Sequence, residues 1–160
     1  MINNLEKLRI AAEIILKKYL ELPEIISKRE GRSFGYLTVR SREEGHILAV
    51  YLIGKNINEL KSPKYLKLSM EKGRRLHTSR LNNNPLICTS FETRNLEELK
   101  FGGAVLIGEY NLSFSGLPEI ADHSLTTLIS FFSSNFPEKG VISAFSSIKD
   151  SVFSKKVGCP

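Results

Sequence analysis

Residues Phe101 to Phe132 (FGGAVLIGEYNLSFSGLPEIADHSLTTLISFF) constrain the fold more than any other stretch of the chain. Ala104 to Ile107 is a short apolar run, and Gly108-Glu109 suits a two-residue hairpin turn with glycine first. After the turn, Tyr110, Leu112 and Phe114 alternate with Asn111, Ser113 and Ser115, the period of a strand with two unlike faces. Gly116 frees the backbone, and Pro118 fits a first helical turn, where its missing N–H costs nothing. Glu119 and Asp122 set negative charge beside the positive end of the helix dipole. Ala121, Leu125, Leu128 and Phe132 then recur at helical spacing. The segment therefore predicts strand, tight turn, strand, glycine loop and helix.

Upstream, Leu5, Leu8, Ala12, Ile15, Tyr19 and Leu22 form one apolar stripe and predict a helix from residue 2 to about 29, kinked or ended by Pro23. Phe34 to Ser41 and Ile47 to Ile53 are rich in strand formers, and the Arg42 to Gly45 turn between them predicts an antiparallel hairpin. The second strand is apolar on both faces and so requires cover on both sides, by helices or by a partner subunit. Ser62-Pro63 predicts the capped start of a helix running to about Leu81, with Leu66, Met70, Gly73 and His77 on one stripe. Gly73 costs about 1 kcal/mol against alanine inside a helix, so a close approach of another chain segment is expected there. Leu86 to Phe91 suggests a short strand, and Asn95 to Glu98 a capped single helical turn. Phe145, Ile148 and Val152 suggest a last amphipathic helix.

A chain of 160 residues fits one domain, residues 1–160, with no linker or repeat. No apolar run approaches the about 20 residues of a membrane span, and acids and lysines throughout the first helix argue against a signal peptide. Two cysteines, Cys88 and Cys159, make no disulfide framework, so a cytoplasmic protein is expected. The net charge of +6 is scattered in pairs such as Lys17-Lys18 and Arg74-Arg75 instead of gathered among aromatics, so no nucleic-acid partner is expected. Zinc spacings, a nucleophile elbow, and Walker and Rossmann glycine patterns do not occur, and no metal site is assigned.

The order helix, hairpin, helix, loop, hairpin, helix, together with a few residues, resembles the GlcG/HbpS-like family, also called the haem-degrading domain family. That family includes the C-terminal domain of a propanediol-utilisation cobalamin adenosyltransferase. Gly102-Gly103 with Ala104 to Ile107 looks like its Gly-Gly strand, and Ser115-Gly116-Leu117-Pro118 with Asp122-His123 looks like its Ser-Gly-Leu-Pro…Asp-His segment. Gly45 to Ala49 is similar to its first hairpin turn, and Lys72-Gly73 to a lysine and small residue of its middle helix. The resemblance covers roughly residues 5 to 133. It implies an α+β domain with an antiparallel sheet of about five strands and flanking helices, similar to profilin-like and PAS-like sensor domains. It also implies homo-oligomers and, for some members, haem. It supplies no shared catalytic residues.

The expected function is a small-ligand-binding, sensor-like domain and not an enzyme, with haem or another tetrapyrrole as the named ligand. The alternative is an oligomeric scaffold or adaptor without a small ligand. Candidate ligand-binding residues are Lys72, His77, Ser115, Gly116 and His123. Free N–H groups after Gly116 would accept an anionic group near Lys72 or Arg75. His77 or His123 would coordinate iron. Each also has a plainer explanation: His77 as a hydrogen-bonded core-edge residue, His123 as a neutral structural histidine, and Ser115-Gly116 as an ordinary strand-to-helix turn. His46 lies in a turn and is most simply solvated. Acid–base chemistry by Lys72 or His123 lacks a paired carboxylate or an oriented nucleophile in the sequence.

Overall fold

The computed structural model describes residues 4–26, 29–82, 84 and 86–132. They build a three-layer α+β domain. Helix α1 (Asn4–Leu20), the short helix α2 (Pro23–Ile26) and strands β1 (Phe34–Ser41) and β2 (Ile47–Gly54) come first. Helix α3 (Ser62–Asn82), strands β3 (Ala104–Ile107) and β4 (Tyr110–Ser115), and helix α4 (Glu119–Phe132) follow. The sheet is antiparallel with strand order β2-β1-β4-β3, so β1 and β4 from the two hairpins pair at its centre.

Side-chain alternation sorts the residues onto two unlike faces. Leu37, Val39, Val105, Leu112 and Phe114 point to α1 and α4 and join Leu8, Ala12, Ile15, Leu16, Tyr19, Leu125 and Ile129 in the main core. Each such buried aliphatic side chain contributes about 1.5–3 kcal/mol, so this layer carries most of the apolar stabilisation. The opposite face carries Thr38, Arg40, Asn111 and Ser113, all buried under α3. Here the contacts are hydrogen bonds. The Thr38 hydroxyl donates to Ser69 Oγ (2.9 Å), and Ser69 donates to the Ser113 carbonyl (3.0 Å). Asn111 Nδ2 donates to the Gly73 carbonyl (2.8 Å), and Arg40 to the carbonyls of Gly45 (2.7 Å) and Met70 (3.1 Å). A Cβ on Gly73 would lie 2.9 Å from Ser113 Oγ, which accounts for a glycine in mid-helix. A small apolar cluster of Leu76, Ala104 and Leu106 completes this side.

Several expectations are corrected. The long first helix stops at Leu20, and Pro23 opens α2 because a proline at a first helical position needs no N–H partner. Among the described residues the sheet has four strands, where about five were expected. Residues 88–90 run beside β3 and bond it through Ser90 N–H to Ala104 O (2.9 Å) and Leu106 N–H to Cys88 O (3.0 Å), but only Thr89 forms a bridge. The Asn95 turn is not helical: an Asn95–Lys100 bridge closes it, with Leu99 at a φ of 56°. Asn95 still caps, its Oδ1 accepting the N–H groups of Glu97 and Glu98. Ser62 starts α3, but its hydroxyl meets the Tyr36 hydroxyl (2.6 Å), and the upstream turn is capped by Asn58 Oδ1 instead. The 108–109 turn forms as expected, with positive φ at Gly108 and not at Glu109. The expected helix around Phe145, Ile148 and Val152 lies outside the described residues. No helix among the described residues is long and apolar enough to cross a membrane.

Candidate functional site

The start of α3 and the loop leading into α4 face one another across a cleft of about 430 Å3. Its inner end is an ion pair. Lys72 Nζ, on the core-facing stripe of α3, lies 2.7 Å from Asp122 Oδ2 in the first turn of α4, and both side chains are almost wholly buried. The ammonium also donates to the Phe114 carbonyl (3.0 Å). The second carboxylate oxygen of Asp122 accepts the N–H groups of Gly116 (3.2 Å) and Leu117 (2.8 Å). One carboxylate thus ties α3, the end of β4 and the glycine loop together. Burial pushes its pKa up to about 6, against the opposing pull of Lys72 and the two N–H groups.

The anion that the sequence leads one to expect at the free N–H groups after Gly116 is therefore supplied by the chain itself. Lys72 is likewise committed to Asp122. Gly116 packs so tightly that an added Cβ would lie 2.1 Å from the Phe34 carbonyl oxygen. Gly116→Ala is expected to cost about 1–3 kcal/mol through the backbone shift it forces, read as a lower midpoint in urea unfolding.

The mouth of the cleft has a different character. Arg32, Lys61 and Lys64 stand around it, and Tyr65, Leu68, Phe101, Leu117 and Pro118 form apolar walls. Arg32 pairs with Glu30 at 2.7 Å, while Lys61 and Lys64 are exposed and have no ion-pair partner among the described residues. Glu119 also lines the cleft, and its Oε1 accepts the Gly102 N–H (2.9 Å). The first turn of α3 carries no acidic residue. Lysines beside the positive end of a helix dipole work against stability, and α4 shows the favourable arrangement with Glu119 and Asp122. The mouth is thus a place where two lysines and a helix N-terminus add positive potential with no carboxylate from α3 to answer it.

The candidate residues divide accordingly. Lys72 and Ser115 line the cleft, and Gly116 shapes its loop. The two histidines do not line it. His77 is offset from Lys72 by about 140° around α3 and about 7.5 Å along it. Its ring packs on the first hairpin turn, where a Cβ on Gly45 would lie 2.4 Å from its Nε2. His123 is buried, its ring stacked on Phe91 at 4.9 Å, and Arg94 covers the Phe91 ring at 3.9 Å. Its Nδ1 has no hydrogen-bond partner among the described residues. Burial, with the positive charges of Lys72 and Arg94, lowers its pKa to about 4, so it is neutral at pH 7. Arg75 is also elsewhere: it ties α3 to the loop before β3 by donating to the Phe101 carbonyl. His46 is exposed, with Nδ1 2.9 Å from Glu44, in keeping with a solvated turn residue.

Sequence reasoning missed Arg32, Lys61, Lys64, Tyr65, Phe101 and the partnership of Asp122 with Lys72. One signal was present: Lys61 and Lys64 flank Ser62-Pro63, a helix start where acids are preferred. Among the described residues no cluster of His, Cys, Asp and Glu is placed to hold a metal ion.

Comparison with known proteins adds no relative. No family model, curated protein or solved structure matches the chain.

Proposed function

We propose that this chain is a small-ligand-binding domain of the GlcG/HbpS-like, PAS-like sensor type, and that the cleft between α3 and the 116–118 loop takes an amphipathic anion. The observation that carries this reading is a mouth with two exposed lysines, Lys61 and Lys64, in no ion pair among the described residues, over apolar walls. A carboxylate or phosphate would dock at Lys61 and Lys64, and an apolar body would lie against Leu68, Phe101, Leu117 and Pro118. A cleft of about 430 Å3 is within the range of small-molecule sites.

Haem, the candidate that the resemblance names, meets this cleft in part. Its propionates suit Lys61 and Lys64. Histidine ligation does not fit, because neither His77 nor His123 lines the cleft; of the lining residues, Tyr65 alone belongs to a type that ligates haem iron. Haem therefore serves as one probe of an anionic, apolar ligand class, and anilinonaphthalene sulfonate as a metal-free second.

Titration of either probe, followed by absorbance or fluorescence, is expected to saturate at one site per chain. The Lys61→Ala/Lys64→Ala variant is expected to weaken binding at least about tenfold, equivalent to about 1.4 kcal/mol. Unsaturable binding by the native chain, or equal affinity in the variant, would overturn the reading. His77→Ala should leave affinity unchanged.

A further inference from the structure

The sheet has two edges, and the chain treats them differently. Residues 88–90 cover the β3 edge with two backbone hydrogen bonds. No strand lies beside β2 among the described residues. The Lys55 N–H bonds the Ser33 carbonyl at 3.1 Å and so sets the phase of the β1–β2 ladder. Ala49, Tyr51 and Ile53 therefore turn their backbone groups toward β1, and Val50 and Leu52 turn theirs toward the open edge. Natural edge strands discourage pairing with lysine, proline, bulges or short length. Ile47–Gly54 has eight residues, no charge and no proline. Its one irregularity, the register shift opposite Val39/Arg40, falls near the start and leaves Ala49 to Ile53 regular.

The side chains narrow the occupant. Val50 and Leu52, each 40% exposed, stand on the α3 side, where α3 packs mainly on β4, β1 and β3. Ala49 and Tyr51, partly buried, stand on the α1 side. A strand added at this edge has to be apolar on both faces and uncharged, which describes β2 itself. The charges nearest Tyr51 are of both signs, Glu6 and Arg9, so a second copy brings no single-sign repulsion. A two-fold antiparallel pairing also uses one patch on both subunits, the commonest oligomer geometry.

We propose that two copies of this chain join edge to edge through β2, with Tyr51 on the two-fold axis, so that two four-stranded sheets become one continuous sheet. Val50 then lies opposite Leu52 of the partner subunit and Leu52 opposite the partner's Val50, each as a hydrogen-bonded pair. Tyr51 faces the partner's Tyr51 as a close non-hydrogen-bonded pair. The pairing is independent of the cleft. A single strand edge buries less than the roughly 800 Å2 per partner of a tight interface, so the dimer is expected to dissociate in the micromolar range.

Sedimentation equilibrium over about 1 to 100 μM tests this, the mass rising from 18.0 kDa toward twice that value. Val50→Lys adds the charge that protected edges carry and is expected to raise the dissociation constant at least about tenfold. Leu52→Pro removes an outward N–H without touching the β1 ladder and is expected to do the same. Oxidation of Tyr51→Cys should give a covalent dimer that the native chain does not give under the same conditions. A native chain that stays monomeric, or a dimer that survives Val50→Lys, overturns the proposal. So does a dimer lost in Val50→Lys but kept in a folded Leu52→Pro, since that places the contact on the strand's face. Should Leu52→Pro not fold, the Tyr51→Cys cross-link decides: its absence overturns edge pairing.

Discussion

Lys72→Met is expected to destabilise the protein by about 3–5 kcal/mol, because it leaves the Asp122 carboxylate buried without its cation. Asp122→Asn is expected to cost less than Lys72→Met, because burial already works against the carboxylate charge that it removes and the loss left is that of the partner of Lys72. Asparagine keeps an Oδ1 for the Gly116 and Leu117 N–H groups, so the loss reports the charge and not the cap. The double variant removes both charges together and should recover to within about 1 kcal/mol of the native chain, since desolvating an ion pair costs nearly what the attraction returns. Urea unfolding of the four proteins measures the cycle. Losses that simply add in the double variant would mean that the two groups are not coupled, and the geometry at the inner end of the cleft would have to be wrong.

The second large effect concerns pH. His123 titrates near 4 in the folded chain and near 6.5 unfolded. As pH falls from 6.5 to 4 the unfolded chain takes up this proton first, and stability is lost. Asp122 runs the other way. Its folded pKa of about 6 stands above the ordinary 3.8, so acidification from 6 to 3.8 protonates the folded chain first and stability is gained. The two windows overlap, and their contributions nearly cancel between pH 4 and 6. His123→Leu should therefore be more stable at pH 4 than at pH 7, and Asp122→Asn less stable, each by on the order of 3 kcal/mol. Unfolding midpoints across this range check both signs. A native chain and a His123→Leu variant with parallel pH profiles would remove His123 from the argument.

Much of the fold was legible because periodicity reports burial on one face. The alternation in Tyr110–Ser115 and the stripe in Asn4–Leu20 found their core partners directly. The expectation failed where tertiary pairing decides. Leu86 to Phe91 has strand-like composition, yet it gains only one bridge to β3, and composition cannot count partners. Of the candidate residues, Lys72 and Ser115 line the cleft and Gly116 shapes its loop, while His77 and His123 lie elsewhere. His77 was read as an iron ligand on the stripe with Leu66, Met70 and Gly73, but the buried stripe of α3 runs through Ser69 and Lys72, which a hydrophobic pattern does not reveal. The doubly apolar β2 was read as needing cover on both sides; among the described residues no strand lies beside it, and Val50 and Leu52 are each 40% exposed.

The polar seam between α3 and the sheet has a consequence for how this protein tolerates change. Apolar packing accepts small slides and rotations, whereas the Thr38–Ser69–Ser113 chain and the Asn111–Gly73 bond fix one seating of α3. The sheet thus separates two jobs. Substitutions among α1, α4 and the apolar face alter how much folded protein is present. Substitutions in the seam alter where α3 stands, and with it the width of the opening that Lys61 and Lys64 guard.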